Sequence, residues 1–449
     1  MTRIDSVNNE RESLSVNVGS SRQITLFTAT CLVIANMIGT GVFTSLGFQV
    51  VDIQSGFTLL LLWFVGGIFA LCGALCYGEL GATMPRSGGE YHFLSKIYHP
   101  VVGFLSGWVS VTVGFAAPIA LAGMALGKYL SSVVPGLNAT VVAIVVVIAV
   151  SLIHSTNLKA GSSFQQIFTI LKVLLIVVFI VCGLDLATPT GISFTPATED
   201  MSLIFSSPFA ISLFYVTYSY SGWNAAVYLA SEVKNPEKTL PRALFWGTLV
   251  VMALYLLLNF IFLYSTPLNK LAGQLEIGYI VADRIFGSSG GKLMALLISL
   301  GLISSISSMI WAGPRVTQAI GEDIPLFKLL ARKNRYGVPA YAIWFQLAII
   351  LVLLITSTFE KVVTYLEFTL ILSSFMTVLG VFVYRLRFPN LPRPYSTWGY
   401  PITPCIFLGI GLWMLYFSFH AKPIESLAGL ATIALGLPIY YFASKKKLA

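Results

Sequence analysis

One short stretch inside an apolar segment decides the fold: Ile34-Ala35-Asn36-Met37-Ile38-Gly39-Thr40-Gly41-Val42-Phe43. The segment runs from about Ile24 to Val51 and is long enough to cross a bilayer. Glycine loosens a helix and leaves its backbone uncovered, so Gly39 and Gly41 mark a break near the middle of the segment. Backbone that opens in hydrocarbon must be covered by protein or line a polar cavity. We therefore predict two half-helices joined by an unwound, ligand-binding link at 38–41. A packing face between ordinary helices, which small residues also provide, is the alternative.

The composition indicates an integral membrane protein. Hydrophobic residues make up 56% of the 449 positions and charged residues only 10%, whereas a soluble domain has about 25% charged residues. The five cysteines all lie in apolar segments without metal-ligand spacing, so we interpret them as packing residues. No metal site, cofactor or nucleic-acid partner is predicted. The polar N-terminal stretch leads into a full-length apolar segment and does not resemble a cleavable signal peptide.

Twelve apolar segments of spanning length follow one another along the chain. Twenty of the 27 Lys and Arg residues fall in the tails and in the loops on one side, which predicts that both termini are cytoplasmic. The short tails favour a stand-alone protein of a bacterial plasma membrane. The predicted units are a cytoplasmic tail at 1–22, a five-helix unit at 23–185, a second five-helix unit at 200–388, two C-terminal helices at 400–443 and a cytoplasmic tail at 444–449.

A second polar interruption lies in the sixth segment, within Tyr215–Asn224. Gly222 follows Gly39 by 183 positions, which corresponds to five spans. An odd number of spans places the second unit upside down in the membrane. Interrupted helices at corresponding positions of two inverted halves are typical of the central site of a secondary transporter.

Four separated motifs carry a family resemblance. They read IGTGVF at 38–43, ELG…PRSGGEY at 79–91, YSGWN at 220–224 and EVKNP…LPRA at 232–243. In this order they resemble the amino acid–polyamine–organocation transporters, and within that superfamily the L-type amino acid transporter branch. The resemblance covers the first eight spans and rests mainly on hydropathy from about residue 336 onward. It implies an all-α membrane protein with 12 transmembrane helices, a leucine-transporter-type 5+5 inverted repeat plus two C-terminal helices, and amino acid transport.

The two breaks could together bind an amino acid zwitterion. Half-helix ends offer donors and acceptors without burying a full charge. The amides of Gly39, Thr40 and Gly41 are predicted to bind the carboxylate. The carbonyls of Ile38 and of residues 218–221 are predicted to bind the ammonium group.

The second break supplies the remaining substrate-site candidates, Ser221, Gly222, Trp223 and Asn224. The resemblance implies an aromatic gate at Tyr218. Asn224 could hydrogen-bond either the ligand or the opened backbone, and both alternatives stay open. For Trp223, helix packing is an equal alternative to substrate contact.

Lys172 is a lone charge about nine residues inside the fifth span, roughly 13 Å along the helix. A mid-membrane Lys costs about 2.5–3.5 kcal/mol on insertion scales and usually marks function. The resemblance implies that its ammonium replaces a sodium ion. It would bridge first-helix carbonyls near Ala35 and Ile38 to hydroxyls of the eighth span, for which Ser307 and Ser308 are the candidates. The alternative is a Lys that snorkels to the inner surface.

Three other polar groups fall within or at the ends of spans. Glu79 and Glu367 are predicted to form structural ion pairs, although Glu367 could instead favour cationic substrates or titrate. His154 is predicted to be a solvated helix cap.

The predicted function is sodium-independent secondary transport of L-amino acids by alternating access, as an exchanger or a permease, and not an enzymatic activity. Proton-coupled symport of amino acids or polyamines is the alternative. A channel needs a continuous polar lining or charged rings, and a receptor needs a large sensing domain, so both are disfavoured. The expected partners are the amino acid and the lipid bilayer, without a heavy chain.

Overall fold

The computed structural model describes residues 24–156, 161–335 and 337–445, most of which are helical. The tail at 1–22 lies outside the described residues. The last helix continues to Lys445 and so includes the first two residues of the predicted C-terminal tail. The helices of the first half are α1 (Leu26–Met37), α2 (Gly41–Thr44), α3 (Leu46–Asp52), α4 (Gly56–Thr83), α5 (Glu90–Ile97), α6 (Pro100–Val109), α7 (Ala116–Val133), α8 (Ala139–Thr156) and α9 (Gly161–Leu186).

The second half begins with a short turn of helix and contains the longest helix. Its helices are α10 (Asp200–Ile204), α11 (Ser207–Tyr220), α12 (Pro236–Ser265), α13 (Leu268–Leu271), α14 (Ile277–Asp323), α15 (Lys328–Ala331), α16 (Ala340–Thr356), α17 (Phe359–Arg387), α18 (Ile402–Ala421) and α19 (Pro423–Lys445). Helix α14 contains one non-helical residue, Gly287, at φ 74°.

Ten helical segments among the described residues are long and apolar enough to cross a membrane. Helix α16 is a further apolar helix of 17 residues. Helix α11 has 14 residues and continues, after a break, into a 3-10 helix at Ala225–Glu232. The prediction of an all-helical membrane protein is confirmed.

The start of the first interrupted segment is tied to the end of the second. The amide of Ile24 donates to the carbonyl of Glu232 at 3.0 Å, and the amide of Lys234 donates to the carbonyl of Ile24 at 2.9 Å. Helix α1 then begins after Thr25, whose hydroxyl accepts the Thr28 amide at 3.3 Å. This short backbone pairing fixes the register of the two broken helices against each other.

The short helix α5 follows the second span and is largely buried. The carbonyl of Ile97 at its end accepts a hydrogen bond from Arg387 at 2.6 Å. The predicted ion pair of Glu79 lies nearby. Arg385 donates to both Glu79 oxygens at 2.8 and 2.6 Å, and the amide and hydroxyl of Thr397 donate at 2.8 and 2.7 Å. Glu79 is therefore a structural anchor, as predicted.

Candidate functional site

The first break lies where the glycine pair predicts it. Helix α1 ends at Met37, and helical backbone resumes at Gly41. The amides of Gly39, Thr40 and Gly41 donate to no acceptor among the described residues. Free amides at the start of a helix favour an anionic or carbonyl ligand.

The second break follows Tyr220. Gly222 adopts a backbone φ of +98°, a conformation that residues with a Cβ rarely adopt. The carbonyl of Tyr218 accepts a hydrogen bond from the amide of Ser221 at 3.1 Å. The carbonyls of Ser219 and Tyr220 accept no hydrogen bond from the residues that the structure describes. The second break thus presents unpaired acceptors where the first presents unpaired donors.

The two breaks are in direct contact. A Cβ at Gly41 would lie 2.4 Å from the Ser219 Cα, and a Cβ at Gly222 would lie 2.8 Å from the Asn36 carbonyl carbon. A Cβ at Gly39, in contrast, would meet nothing closer than 4.0 Å. Gly41 therefore serves close packing between helices, the alternative that the sequence left open, whereas Gly39 borders open space.

Both breaks line one central cavity. The first contributes Gly39, Thr40 and Gly41, and the second contributes Tyr218, Ser221, Gly222 and Asn224. The remaining lining is largely apolar and includes Phe115, Pro118, Met309 and Ala312, together with Ser308. Neither Ile38 nor Trp223 belongs to this lining.

Aromatic side chains close the cavity on one side. The Tyr218 hydroxyl and the Thr40 hydroxyl are hydrogen-bonded at 2.6 Å. The ring of Phe359 lies edge-on to Tyr218, with 6.1 Å between the ring centroids. Phe48 stacks between Tyr215 and Phe359 at 5.2 and 5.7 Å. Tyr218 therefore joins the first break to this aromatic cluster, and its role as a gate stays a prediction.

On the other side the cavity continues into a polar vestibule. Tyr228, Leu229, Trp311 and Arg315 line both spaces. The guanidinium of Arg315 lies 3.5 Å above the centre of the Trp311 ring, an arrangement typical of a cation–π contact. The vestibule also contains charged side chains, among them Glu232, Glu322 and Lys333.

Lys172 is buried, with 7% of its surface exposed, so the snorkelling alternative is wrong. Its ammonium donates to the Ile38 carbonyl at 3.1 Å and to the Ser305 hydroxyl at 2.7 Å. Ala35 is not among its hydrogen-bond partners in the described residues.

The prediction of Ser307 and Ser308 as the hydroxyl partners of Lys172 is wrong. Ser307 is hydrogen-bonded to His154 Nε2 at 2.7 Å, and Ser308 donates to the Ser305 carbonyl at 2.9 Å. Successive residues are rotated by about 100° around a helix, so Ser307, two positions beyond Ser305, points away from α9. Ser308 lies nearly one turn beyond Ser305 and directs its hydroxyl to the helix backbone instead. The contact with Ser307 also makes His154 a half-buried packing residue rather than a solvated cap.

Two residues of the second break have other partners than predicted. The Trp223 ring packs edge-on against Tyr77, with 4.7 Å between centroids, which favours the packing alternative. The Asn224 amide donates to Glu90 Oε1 at 2.8 Å rather than to the opened backbone. A ligand contact of Asn224 stays a prediction, since the residue also lines the central cavity. Glu90 was missed, and its place in the PRSGGEY motif was the available signal.

Glu367 forms no ion pair with any of the described residues, so the predicted ion pair is wrong there. Its side chain is buried, with 3% exposed, and forms no salt bridge there. Its Oε1 atom has no hydrogen-bond partner in the described part of the chain.

Comparison with known proteins identifies the family of the chain. A family profile described as amino acid permease matches residues 24–435. The chain belongs to the amino acid permease family. The permease is 30% identical to the serine/threonine exchanger SteT of Bacillus subtilis (strain 168), over 96% of this chain and 98% of that protein. It is 26% identical to the large neutral amino acids transporter small subunit 2 of Mus musculus, over 96% of this chain and 83% of that protein. It is also 26% identical to the b(0,+)-type amino acid transporter 1 of Mus musculus, over 94% of this chain and 87% of that protein.

These matches confirm the family that the four motifs predict. The permease is a multi-pass membrane transporter and not an enzyme, because its relatives across nearly the whole chain are amino acid transporters.

Proposed function

We propose that this permease exchanges neutral L-amino acids across a bacterial plasma membrane, by alternating access and without sodium. The observation that carries the proposal is the single cavity shared by the two helix breaks. The cavity brings free backbone amides of residues 39–41 close to the carbonyl-rich second break. An amino acid zwitterion needs both kinds of group in a site shielded from water.

The repeat architecture follows from the two breaks. We propose twelve spans, in which α11 with the following 3-10 helix is the sixth and α16 is the ninth. The two five-helix units at 23–185 and 200–388 then form the inverted repeats, and α18 and α19 follow them. The 183-residue spacing of Gly39 and Gly222 supports this assignment, as do the contacts of Gly41 with Ser219 and of Gly222 with Asn36.

The amides of Gly39, Thr40 and Gly41 would bind the substrate carboxylate. Among them, the position of Gly39 offers the most room for its approach. The carbonyls of the second break would bind the ammonium group. Tyr218 would close over the substrate through its hydrogen bond to Thr40.

The lining of the cavity favours neutral side chains. Its described residues include no Asp, Glu or Lys and one Arg, Arg315, which stands at the vestibule end. Polyamines would require buried carboxylates in the cavity, so they fit this site poorly. The relatives are named as transporters of serine, threonine and large neutral amino acids, which points to the same substrate class.

Lys172 supports independence from sodium. Its ammonium bridges the end of α1 to α14 through Ile38 and Ser305. An ion at this position would join the same carbonyl and hydroxyl, and a Lys carries three donors of its own. The protein-borne charge stays in place when the substrate leaves.

The closed and open ends of the cavity support alternating access. One end is sealed by Tyr218, Thr40 and Phe359, and the other leads into the vestibule. By the charge bias of the loops, the open end faces the cytoplasm. A channel would instead require a path open at both ends.

The chain alone is expected to transport, without a heavy chain. SteT, which it matches nearly end to end, is named as an exchanger, whereas the large neutral amino acid relative is named as a small subunit. The test is uptake of a labelled amino acid panel by the purified chain in proteoliposomes, with and without internal amino acid. Stimulation by internal amino acid supports exchange. Equal uptake into empty and loaded vesicles would contradict it.

A further inference from the structure

A second polar pocket lies behind the second break, on the side of α17. Its lining includes Glu90 of α5, Thr217, Gly222 and Asn224 of the broken helix, and Glu367 of α17. Two buried carboxyl groups therefore border one small space. The transport mechanism proposed above uses neither of them.

Glu90 is surrounded by neutral donors. Its Oε1 accepts from the Tyr77 hydroxyl at 2.9 Å and from the Asn224 amide at 2.8 Å, and its Oε2 accepts from the Tyr228 hydroxyl at 2.5 Å. Three such donors stabilise a carboxylate without a basic partner. Neutral donors thus satisfy both oxygens of Glu90.

Glu367 has the opposite surroundings. No Lys or Arg among the described residues pairs with it, and Oε1 is unpartnered. The neighbouring Thr217 hydroxyl directs its proton to the carbonyls of Leu213 and Phe214, at 3.0 and 3.1 Å. That hydroxyl also lies near the Glu367 carboxyl group, but it shares its proton with the backbone of its own helix, so it satisfies a buried carboxylate only in part. A carboxylate with an unpartnered oxygen is costly to bury in its charged form.

We propose that this pocket is a proton-binding site, with Glu367 as the group that takes up and releases the proton as the second break moves. Hydronium would transfer a proton to the Glu367 carboxylate and leave as water, and release is the reverse step. The titratable groups around the pocket include Glu90, Tyr77, Tyr218, Tyr220 and Tyr228.

The pocket is mechanically connected to the central cavity. Gly222 and Asn224 border both spaces, and Asn224 joins Glu90 through its amide. A movement of the second break that admits substrate would therefore also change how far the Glu367 side chain is shielded from water. This step rests on the alternating access proposed above, and it makes the rate of exchange respond to a pH gradient.

The first test monitors an imposed pH gradient, acid outside, in proteoliposomes with a trapped pH indicator and L-serine on both sides. We expect L-serine to accelerate decay of the gradient for the wild type. We expect Glu367→Gln to reduce this acceleration at least tenfold, because the amide cannot carry a proton. The control is Glu360→Gln on the same helix, an exposed residue that should behave as the wild type. Decay that is independent of L-serine in the wild type, or fully retained in Glu367→Gln, would overturn the proposal.

The second test does not require transport. Infrared difference spectra of the purified protein across a pH step should contain a carboxylic acid carbonyl band that Glu367→Gln removes and Glu360→Gln leaves. Absence of the band, or its persistence in Glu367→Gln, would overturn the assignment of Glu367. If the wild type exchanges no amino acid but the band is present, the proposed function fails while the proton site stands.

Discussion

The Lys172 ammonium donates a 3.1 Å hydrogen bond to the Ile38 carbonyl, at the residue where α1 loses its helical backbone. The same ammonium reaches Ser305 of α14 at 2.7 Å. One buried charge thereby fixes the position of the unwound link relative to α14. We expect this bridge to influence substrate binding through the position of the link, although Lys172 itself is outside the cavity lining.

Loss of the Ser305 hydroxyl should weaken transport. Ser305→Ala removes one of the two observed partners of Lys172, and a hydrogen bond to a charged group contributes about 1.5–3 kcal/mol. We expect a roughly tenfold or greater reduction of the initial uptake rate in proteoliposomes, since 1.4 kcal/mol corresponds to a factor of ten. Ser307→Ala is the matched control, because that hydroxyl contacts His154. Equal losses in the two variants would show that the Lys172 contact has no special role.

The glycines of the first break should respond differently to alanine. Gly41→Ala places a Cβ 2.4 Å from the Ser219 Cα, so the helices must move apart. We expect a lower melting temperature in detergent together with reduced uptake. Gly39→Ala meets no close atom, so it should keep the melting temperature and weaken amino acid affinity. A stable, fully active Gly41→Ala protein would refute the close contact of the two breaks.

The sequence located both breaks and Lys172 because their signals are local. Paired small residues in an apolar segment and a charge at mid-membrane depth are visible without knowledge of the packing. The partner of Lys172 was not predictable in this way. Serines at 304, 305, 307 and 308 face several sides of α14, and only the rotation of that helix selects Ser305.

Contacts between segments that are distant in the chain could also not be predicted from the sequence. Whether Gly41 admits a ligand or a neighbouring backbone depends on the approach of α11, which lies more than 160 residues later in the chain. The attachment of Asn224 to Glu90 likewise depends on how α5 packs beneath the second break. The ion pair of Glu79 was predicted correctly, because a carboxylate at the inner end of a span lies near many basic residues.

Removal of the Tyr218 hydroxyl should impair closure. Tyr218→Phe retains the ring against Phe359 and removes the 2.6 Å hydrogen bond to Thr40. We expect uptake of serine, threonine and larger neutral amino acids to fall together, by several-fold. The control is Tyr220→Phe, which also loses one hydrogen bond, to the Trp63 carbonyl, but is not part of the cavity lining. A loss confined to one substrate would place Tyr218 in the side-chain pocket instead.

The Glu79 anchor should matter for stability rather than for transport chemistry. Glu79→Gln leaves Arg385 without its buried partner, and breaking a buried pair costs about 3–5 kcal/mol. We expect a clear decrease in the melting temperature of the purified protein. Glu360→Gln breaks the more exposed pair with Lys422 and should cost at most about 1 kcal/mol. Similar melting temperatures for the two variants would contradict the structural role of Glu79.

The role of Lys172 as a substitute for sodium is tested most directly by uptake in two salts. Purified wild-type protein and Lys172→Gln are reconstituted into vesicles loaded with L-serine, and the initial rate of labelled L-serine uptake is measured in sodium chloride and in choline chloride. We predict equal wild-type rates in both salts and a severe loss in Lys172→Gln, because the neutral amide cannot replace the ammonium bridge. Uptake by the wild type that requires sodium would contradict this account, even if amino acid exchange were observed.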